Sequence, residues 1–193
     1  MGKQESGLKV ILVLVLIAMF SAILLAYVNQ VTREPIAANK KAETQKAIKV
    51  VLAGLKDISY PENPTDIQID NSGAGYFEAK YDNGKTAGYA VIVKGPGGFT
   101  NDFDMMVGLD SSGKIIDTYV LDHKETPGLG DGMQKEPFKN QFRGRQLNDT
   151  EWKVKKDKGD IDAITAATIT SRAFTKGVWR ALQVYKTLRE DQK

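Results

Sequence analysis

From Val10 to Val28 the chain reads VILVLVLIAMFSAILLAYV, nineteen residues without a charge or a proline. As an α-helix this run spans about 28 Å at 1.5 Å rise per residue, close to the hydrocarbon thickness of a bilayer. Thirteen of the nineteen are Val, Ile, Leu or Phe, each favouring insertion by roughly 0.3–0.6 kcal/mol at mid-membrane. The run is therefore expected to be a transmembrane helix. A cleaved signal peptide fits worse, because its apolar stretch is ordinarily ~7–15 residues and no A-x-A-like site follows here. The opening MGKQES matches a myristoylation pattern that a spanning helix makes redundant. Lys3 and Lys9 precede the run, while Arg33, Lys40, Lys41, Lys46 and Lys49 follow it. A bare count of positive charges puts the remainder in the cytoplasm, but large domains cross largely regardless of charge. These residues alone leave the side open.

At 193 residues, the chain has room for one membrane segment and one modest domain. Its 27 basic and 24 acidic residues give a formal charge of +3, too balanced and dispersed for a nucleic-acid surface. The expected partners are proteins, lipid and a small cofactor. There is no cysteine and a single histidine, His123. That excludes disulfides, thiolate-held iron–sulfur clusters, cysteine zinc sites and thioether-linked haem, and most histidine metal sites with them.

After the apolar run, EPIAANKKAETQKAIKVVLAGLKD places Ile48, Val51, Leu52 and Leu55 at i, i+3, i+4 and i+7. This spacing predicts an amphipathic connecting helix ending near Gly54. Two prolines in YPENPTD then break it and open a strand-rich region. DIQID alternates, and GYFEAKYDNGKTAGYAVIVKG reads as two strands around the Asn83-Gly84 turn. FDMMVGLDSSGKIIDTYVLDH repeats the scheme around Ser111 to Gly113, giving an antiparallel sheet of four or more strands. A short helix is expected in MQKEPFKNQF, a further strand in EWKVKK, and a long helix from Ser171. On that helix Phe174, Val178, Leu182 and Tyr185 share one face, with Ala181 and Leu188 beside them. The expected fold is α+β: residues 1–31 as tail and membrane helix, 32–60 as connecting helix, 61–193 as a domain built on an antiparallel sheet with flanking helices.

Two loops are chemical candidates. HKETPGLGDGM, residues 123–133, follows an apolar strand with three glycines and a proline, so its backbone can approach a flat ligand closely. It has neither a dinucleotide-binding nor a P-loop spacing, and an ordinary structural turn explains it equally. DAITAATITSRAF, residues 162–174, places three threonines, Thr165, Thr168 and Thr170, and a serine, Ser171, ahead of the last helix. Helix capping needs one hydroxyl, Thr170 or Ser171. A phosphate at the same place would gain open N–H groups and the helix dipole. Both explanations stand on spacing alone.

Together, however, the two loops resemble a known family. DAITAAT at 162–168 is similar to the flavinylation motif Asp-x-x-Ser/Thr-Gly-Ala-Thr, and HKETPGLGD at 123–131 to its companion loop in FMN-binding domains. From about Gly88 onward the chain resembles the G subunits of Rnf complexes, ion-translocating ferredoxin:NAD oxidoreductases, relatives of the C subunit of the sodium-translocating NADH:quinone oxidoreductase. The resemblance implies a membrane-anchored electron-transfer subunit in a translocase, with no substrate turnover of its own. It implies that a flavin transferase joins FMN, taken from FAD, to Thr168 through a phosphoester. Asp162 would serve motif recognition, while Glu125, Thr126, Pro127, Gly128, Leu129, Gly130, Thr165, Ala166, Ala167 and Thr170 would lie against the cofactor. Other membrane subunits of the complex and the bilayer would be its partners, and the domain would face the extracytoplasmic side of the inner membrane. One departure is Ala166, where the family's motif has glycine. If that position needs positive φ, alanine costs of order 1 kcal/mol.

Three other readings compete. The same flavin domain could serve another membrane electron chain of the quinone-reductase type. A tethered non-redox binding or scaffold module would make both loops structural. A serine hydrolase would pair His123 with Ser111 or Ser112, but no nucleophile elbow surrounds either serine.

Overall fold

The computed structural model of the chain describes residues 2–69 and 72–190. Met1 of MGKQES and Asp70 of DIQID lie outside the described residues, as does the side chain of Lys3. Helix α1 runs without a break from Gly2–Val51, with Pro35 inside it, so the membrane and connecting segments form one helix. It ends slightly before Gly54, through a turn in which Leu55 N–H donates to the Leu52 carbonyl. The chain divides into two compact units, Met1–Glu43 and Thr44–Lys193.

The described residues of the first unit are helix alone. Side chains 9–42 are all exposed, including the whole apolar run, and this helix is long and apolar enough to cross a membrane. Apolar surface of this extent has to be covered by lipid or protein, and it fits a single-pass anchor.

The second unit holds an antiparallel sheet of six strands, β1 (Ile58–Ser59), β2 (Thr65–Ile69), β3 (Ser72–Tyr81), β4 (Thr86–Gly95), β5 (Phe103–Asp110) and β6 (Ile115–Asp122). Strands β3 to β6 lie side by side in sequence order, and β1 and β2 both pair with β3. The β3–β4 turn holds Asn83 and Gly84, and the β5–β6 turn holds Ser111 to Gly113, as the turn residues predict. Alternation sorts the strands' side chains between two cores. Tyr89, Val91 and Val93 of β4 face a cluster completed by helix α3 (Thr168–Glu190). Ala90 faces the opposite cluster, and Ala87 joins it at the β3–β4 register shift opposite Ala79 and Lys80; there the last turns of α1 insert Ala47, Ile48, Val51 and Leu52. Helices thus cover both faces of the sheet.

Phe174, Val178, Ala181 and Leu182 of α3 are fully buried, each large apolar one contributing roughly 1.5–3 kcal/mol. Tyr185 is half-buried, with its hydroxyl donating to the Ser111 carbonyl at 2.9 Å. The expected short helix in 133–142 appears as a 3-10 turn, Gly130–Gln134, followed by α2 (Glu136–Lys139). Phe138 and Phe142 pack against Phe174, and Asp117 of β6 pins the segment through Lys139 at 3.1 Å and Arg143 at 2.7 Å. Burial pushes the Asp117 carboxyl up, but the Arg143 hydrogen bond, the Thr118 N–H and Lys139 together hold it below its ordinary value.

EWKVKK is not a strand. Its residues form a single bridge, Val154 to Ile161, and then a 3-10 turn, Lys155–Asp157. The cause is local: Lys155 N–H donates to the Ile161 carbonyl and Ile161 N–H to the Lys153 carbonyl. The chain folds back on itself within seven residues, and these backbone groups never reach the sheet.

Candidate functional site

Both candidate loops lie at one end of the sheet. Residues 123–130 leave β6, and His123 braces them: its Nδ1 accepts the Glu125 N–H at 3.2 Å and its Nε2 lies 2.8 Å from Gln134 Nε2. Ser111 and Ser112 sit beyond the other end of the eight-residue β6, about 26 Å away at ~3.3 Å per residue. Ser112 Oγ donates to Asp110 instead. The hydrolase reading fails on this separation.

Glu125 is the hinge of the site. It is only 6 % exposed, and its Oε2 accepts the Thr170 hydroxyl at 2.7 Å, tying the loop to the first turn of α3. Its other oxygen, Oε1, is buried with no hydrogen-bond partner among the described residues. A buried carboxylate oxygen left this way costs on the order of 1–3 kcal/mol, so it is an acceptor waiting for a donor. Gly130 packs on the same carboxylate. A Cβ there would collide with Glu125 Oε2 and sit 2.9 Å from Thr170 Oγ1. Gly128 has a different need, since its φ is +81° while a Cβ would meet open space.

The hydroxyls of 162–171 divide into separate jobs. Helix α3 starts at Thr168, three residues earlier than expected, and the residue before it is Ala167, so no side-chain hydroxyl caps it. Ser171 Oγ accepts the Ile164 N–H and donates to the Ala167 carbonyl, both at 2.9 Å. That closes the loop against the helix. Thr170 holds Glu125, and Thr165 is exposed. Ala166 adopts φ +59°, so the position where the family has glycine does need the left-handed region, at a cost of roughly 1–2 kcal/mol for alanine. Thr165 and Thr168 make no such tie, and of the two Thr168 is the one that lines the pocket. It is half-exposed and accepts a hydrogen bond from Lys156 Nζ at 3.1 Å, at the helix end whose first amides have no intrahelical acceptor.

A pocket of about 260 Å³ separates the loops. Glu125, Thr126, Leu129 and Gly130 form one wall; Ala166, Ala167, Thr168 and Thr170 form the other. Pro127 and Gly128 are exposed outside it, as is Thr165. Asp162 also lies outside the wall. Its carboxylate pairs with Lys155 at 2.7 Å, and its backbone N–H and carbonyl are both held by the Gln141 amide.

Three residues here escaped the sequence reading. Phe99 and Ile169 also line the pocket, 68 % and 44 % exposed, and with Leu129 at 42 % they form an apolar rim. Phe99 sits in the β4–β5 turn, which the antiparallel register, Gly95 opposite Phe103 and Asp104 opposite Asp122, brings beside the end of β6. The glycine-rich GPGGF at a hairpin end was the available signal. The third is Lys156. A larger open groove of about 710 Å³ beside Trp152 and Trp179 contains none of the sequence-predicted residues. Among the described residues no cluster of His, Asp or Glu is placed to hold a metal ion.

An apolar rim, one buried unsatisfied acceptor, and a hydroxyl at a helix start bonded to a lysine ammonium suit a flat aromatic ring carrying an anionic group. Comparison with known proteins agrees. Residues 98–183 match the FMN-binding domain family, and residues 1–51 match the RnfG N-terminal region. The fold is shared with the crystal structure of Shewanella oneidensis NqrC, at TM-score 0.54 and 19 % identity, over 74 % of this chain and 91 % of that one. The G subunit of the ion-translocating oxidoreductase complex of Vibrio vulnificus is 40 % identical over 113 residues, 56 % of this chain and 54 % of that protein. Its counterpart in Vibrio atlanticus is 33 % identical over 181 residues, covering 89 % of this chain and 87 % of that protein. The chain belongs to the family of G subunits of ion-translocating oxidoreductase complexes, with an FMN-binding domain behind an N-terminal apolar helix.

Proposed function

We propose that this subunit carries FMN as a phosphoester on Thr168 and relays electrons within an Rnf-type ferredoxin:NAD oxidoreductase. The observation that carries the proposal is Thr168 itself: its hydroxyl opens α3 in the pocket wall while the neighbouring Thr170 and Ser171 are occupied elsewhere. Bound FMN supplies reversible electron uptake and release. The protein's part is to place and shield it. Phe99, Leu129 and Ile169 offer apolar cover, Glu125 Oε1 offers a buried acceptor, and the first amides of α3 offer donors to the phosphate.

A covalent tether suits a domain on the extracytoplasmic side of the inner membrane, where a dissociated cofactor would be lost. We place the domain there, with the apolar part of α1 in the bilayer against other subunits of the complex, and with a flavin transferase as maturation partner. In this reading residues 1–31 are the anchor, 32–60 the connector and 61–193 the flavin domain. Thr168→Ala is expected to abolish denaturation-resistant in-gel flavin fluorescence without unfolding the domain, because the Ser171 and Thr170 contacts persist. Fluorescence surviving in that variant would reject Thr168. For the side of the membrane, a C-terminal alkaline phosphatase fusion is expected to be active, and an inactive fusion beside an active cytoplasmic reporter overturns that placement.

A further inference from the structure

The stretch 153–158 carries lysines at 153, 155, 156 and 158, and their side chains have different partners. Lys153 pairs with Glu151 and Lys155 with Asp162, each at 2.7 Å. Lys156 instead reaches the neutral Thr168 hydroxyl at 3.1 Å and forms no ion pair among the described residues. The one carboxylate beside it in sequence, Asp157, is engaged by Arg172 from α3 through two hydrogen bonds, 2.6 and 2.8 Å. That pair also fixes the Lys155–Asp157 turn against the first turns of α3, so the reach of Lys156 to Thr168 is built into the fold. Across the pocket from Thr168, Glu125 is more than nine-tenths buried and its Oε1 has no partner among the described residues, a second mark of a ligand between these elements.

We propose that Lys156 is a phosphate-binding residue: the cation that receives the phosphoryl group joined to Thr168. This rests on the reading of Thr168 as the attachment point. In the attachment, Thr168 Oγ1 forms a bond to the FMN phosphorus of FAD, the bond from that phosphorus to the AMP oxygen breaks, and AMP leaves while the hydroxyl proton passes to solvent. The product diester keeps one negative charge beside the atom that Lys156 already touches. An ammonium there neutralises that charge and the larger one of the phosphoryl group in transfer, and its hydrogen bond to an anion is stronger than to a hydroxyl. Thr168 alone offers a nucleophile; Lys156 makes its surroundings selective for a phosphoryl group.

The test uses the full-length chain in detergent with purified flavin transferase and FAD, following in-gel flavin fluorescence with time. Lys156→Met is expected to slow attachment about tenfold, the order of one lost charge-assisted hydrogen bond at an exposed site. Lys156→Arg should stay within about threefold of the parent, and melting temperature should not change in either. A second readout separates phosphate binding from recognition by the transferase: the 31P resonance of the attached diester should move in Lys156→Met and stay near the parent's in Lys156→Arg. Attachment to Lys156→Met at the parent rate overturns the proposal, and so does slowed attachment with an unmoved 31P resonance. Failure of the underlying reading looks different, because the parent would then take no flavin or Thr168→Ala would still take it.

Discussion

The two loops that enclose the pocket each hold one residue in the left-handed region, Gly128 at φ +81° and Ala166 at φ +59°. One loop meets the requirement with glycine, at no steric cost, and the other with alanine, under strain. The glycine loop also has a second kind of glycine. Gly130 is fixed by contact, since its backbone presses on the Glu125 carboxylate. Two glycines with unrelated reasons to be there thus stand two positions apart, and a loop rich in glycine says nothing of which is which. The hydroxyl loop teaches the same about threonine and serine: Thr170 and Ser171 are structural ties, and Thr168, in the same run, lines the pocket with only the Lys156 ammonium bonded to it.

The contrast is most exposed at Gly130. Gly130→Val forces a branched side chain into Glu125 and Thr170, breaking their hydrogen bond and leaving both carboxylate oxygens unsatisfied. Overpacking and the lost bond together predict a loss of about 3–5 kcal/mol, or roughly 10 °C or more in melting temperature for a chain of this size. A stability loss below about 1 kcal/mol would show that the loop yields, and that the Glu125 contact does not fix it. Gly128→Ala tests conformation without contact, and about 1 kcal/mol should be lost through φ alone. Ala166→Gly runs the other way. Relief of strain, partly offset by the glycine's greater freedom when unfolded, should raise stability by up to about 1 kcal/mol. Thermal melts of both variants decide it, and a destabilised Ala166→Gly would contradict the strain assigned to that loop.

Much of this architecture was written in local pattern. Alternation and the Asn83-Gly84 turn give the sheet, and the i, i+4 spacing from Phe174 to Leu182 gives the face of α3, because burial on a strand or helix repeats with the backbone. The two loops were visible through composition and family motif. What escaped depends on who meets whom. Trp152 and Val154 alternate as a strand would, yet the chain from 153 to 161 bonds to itself. Phe99 lies in a glycine-rich turn with no period to read, and becomes part of the pocket only through strand register. Lys156 is one lysine among several, and its distinction is a contact twelve residues away that a turn and the Asp157–Arg172 pair create. The membrane and connecting segments differ in composition and read as two, while α1 passes through Pro35 as one helix.

The central claim is a flavin held covalently at one hydroxyl, and the mass of the intact chain measures it directly. Denaturing mass spectrometry of the protein, matured with its flavin transferase, should show an excess of one FMN less one water, and fragmentation should place that excess on Thr168. The same preparation of Thr168→Ala should show the bare mass. An unmodified parent chain, or the same excess on Thr165 or Thr170, would contradict the account.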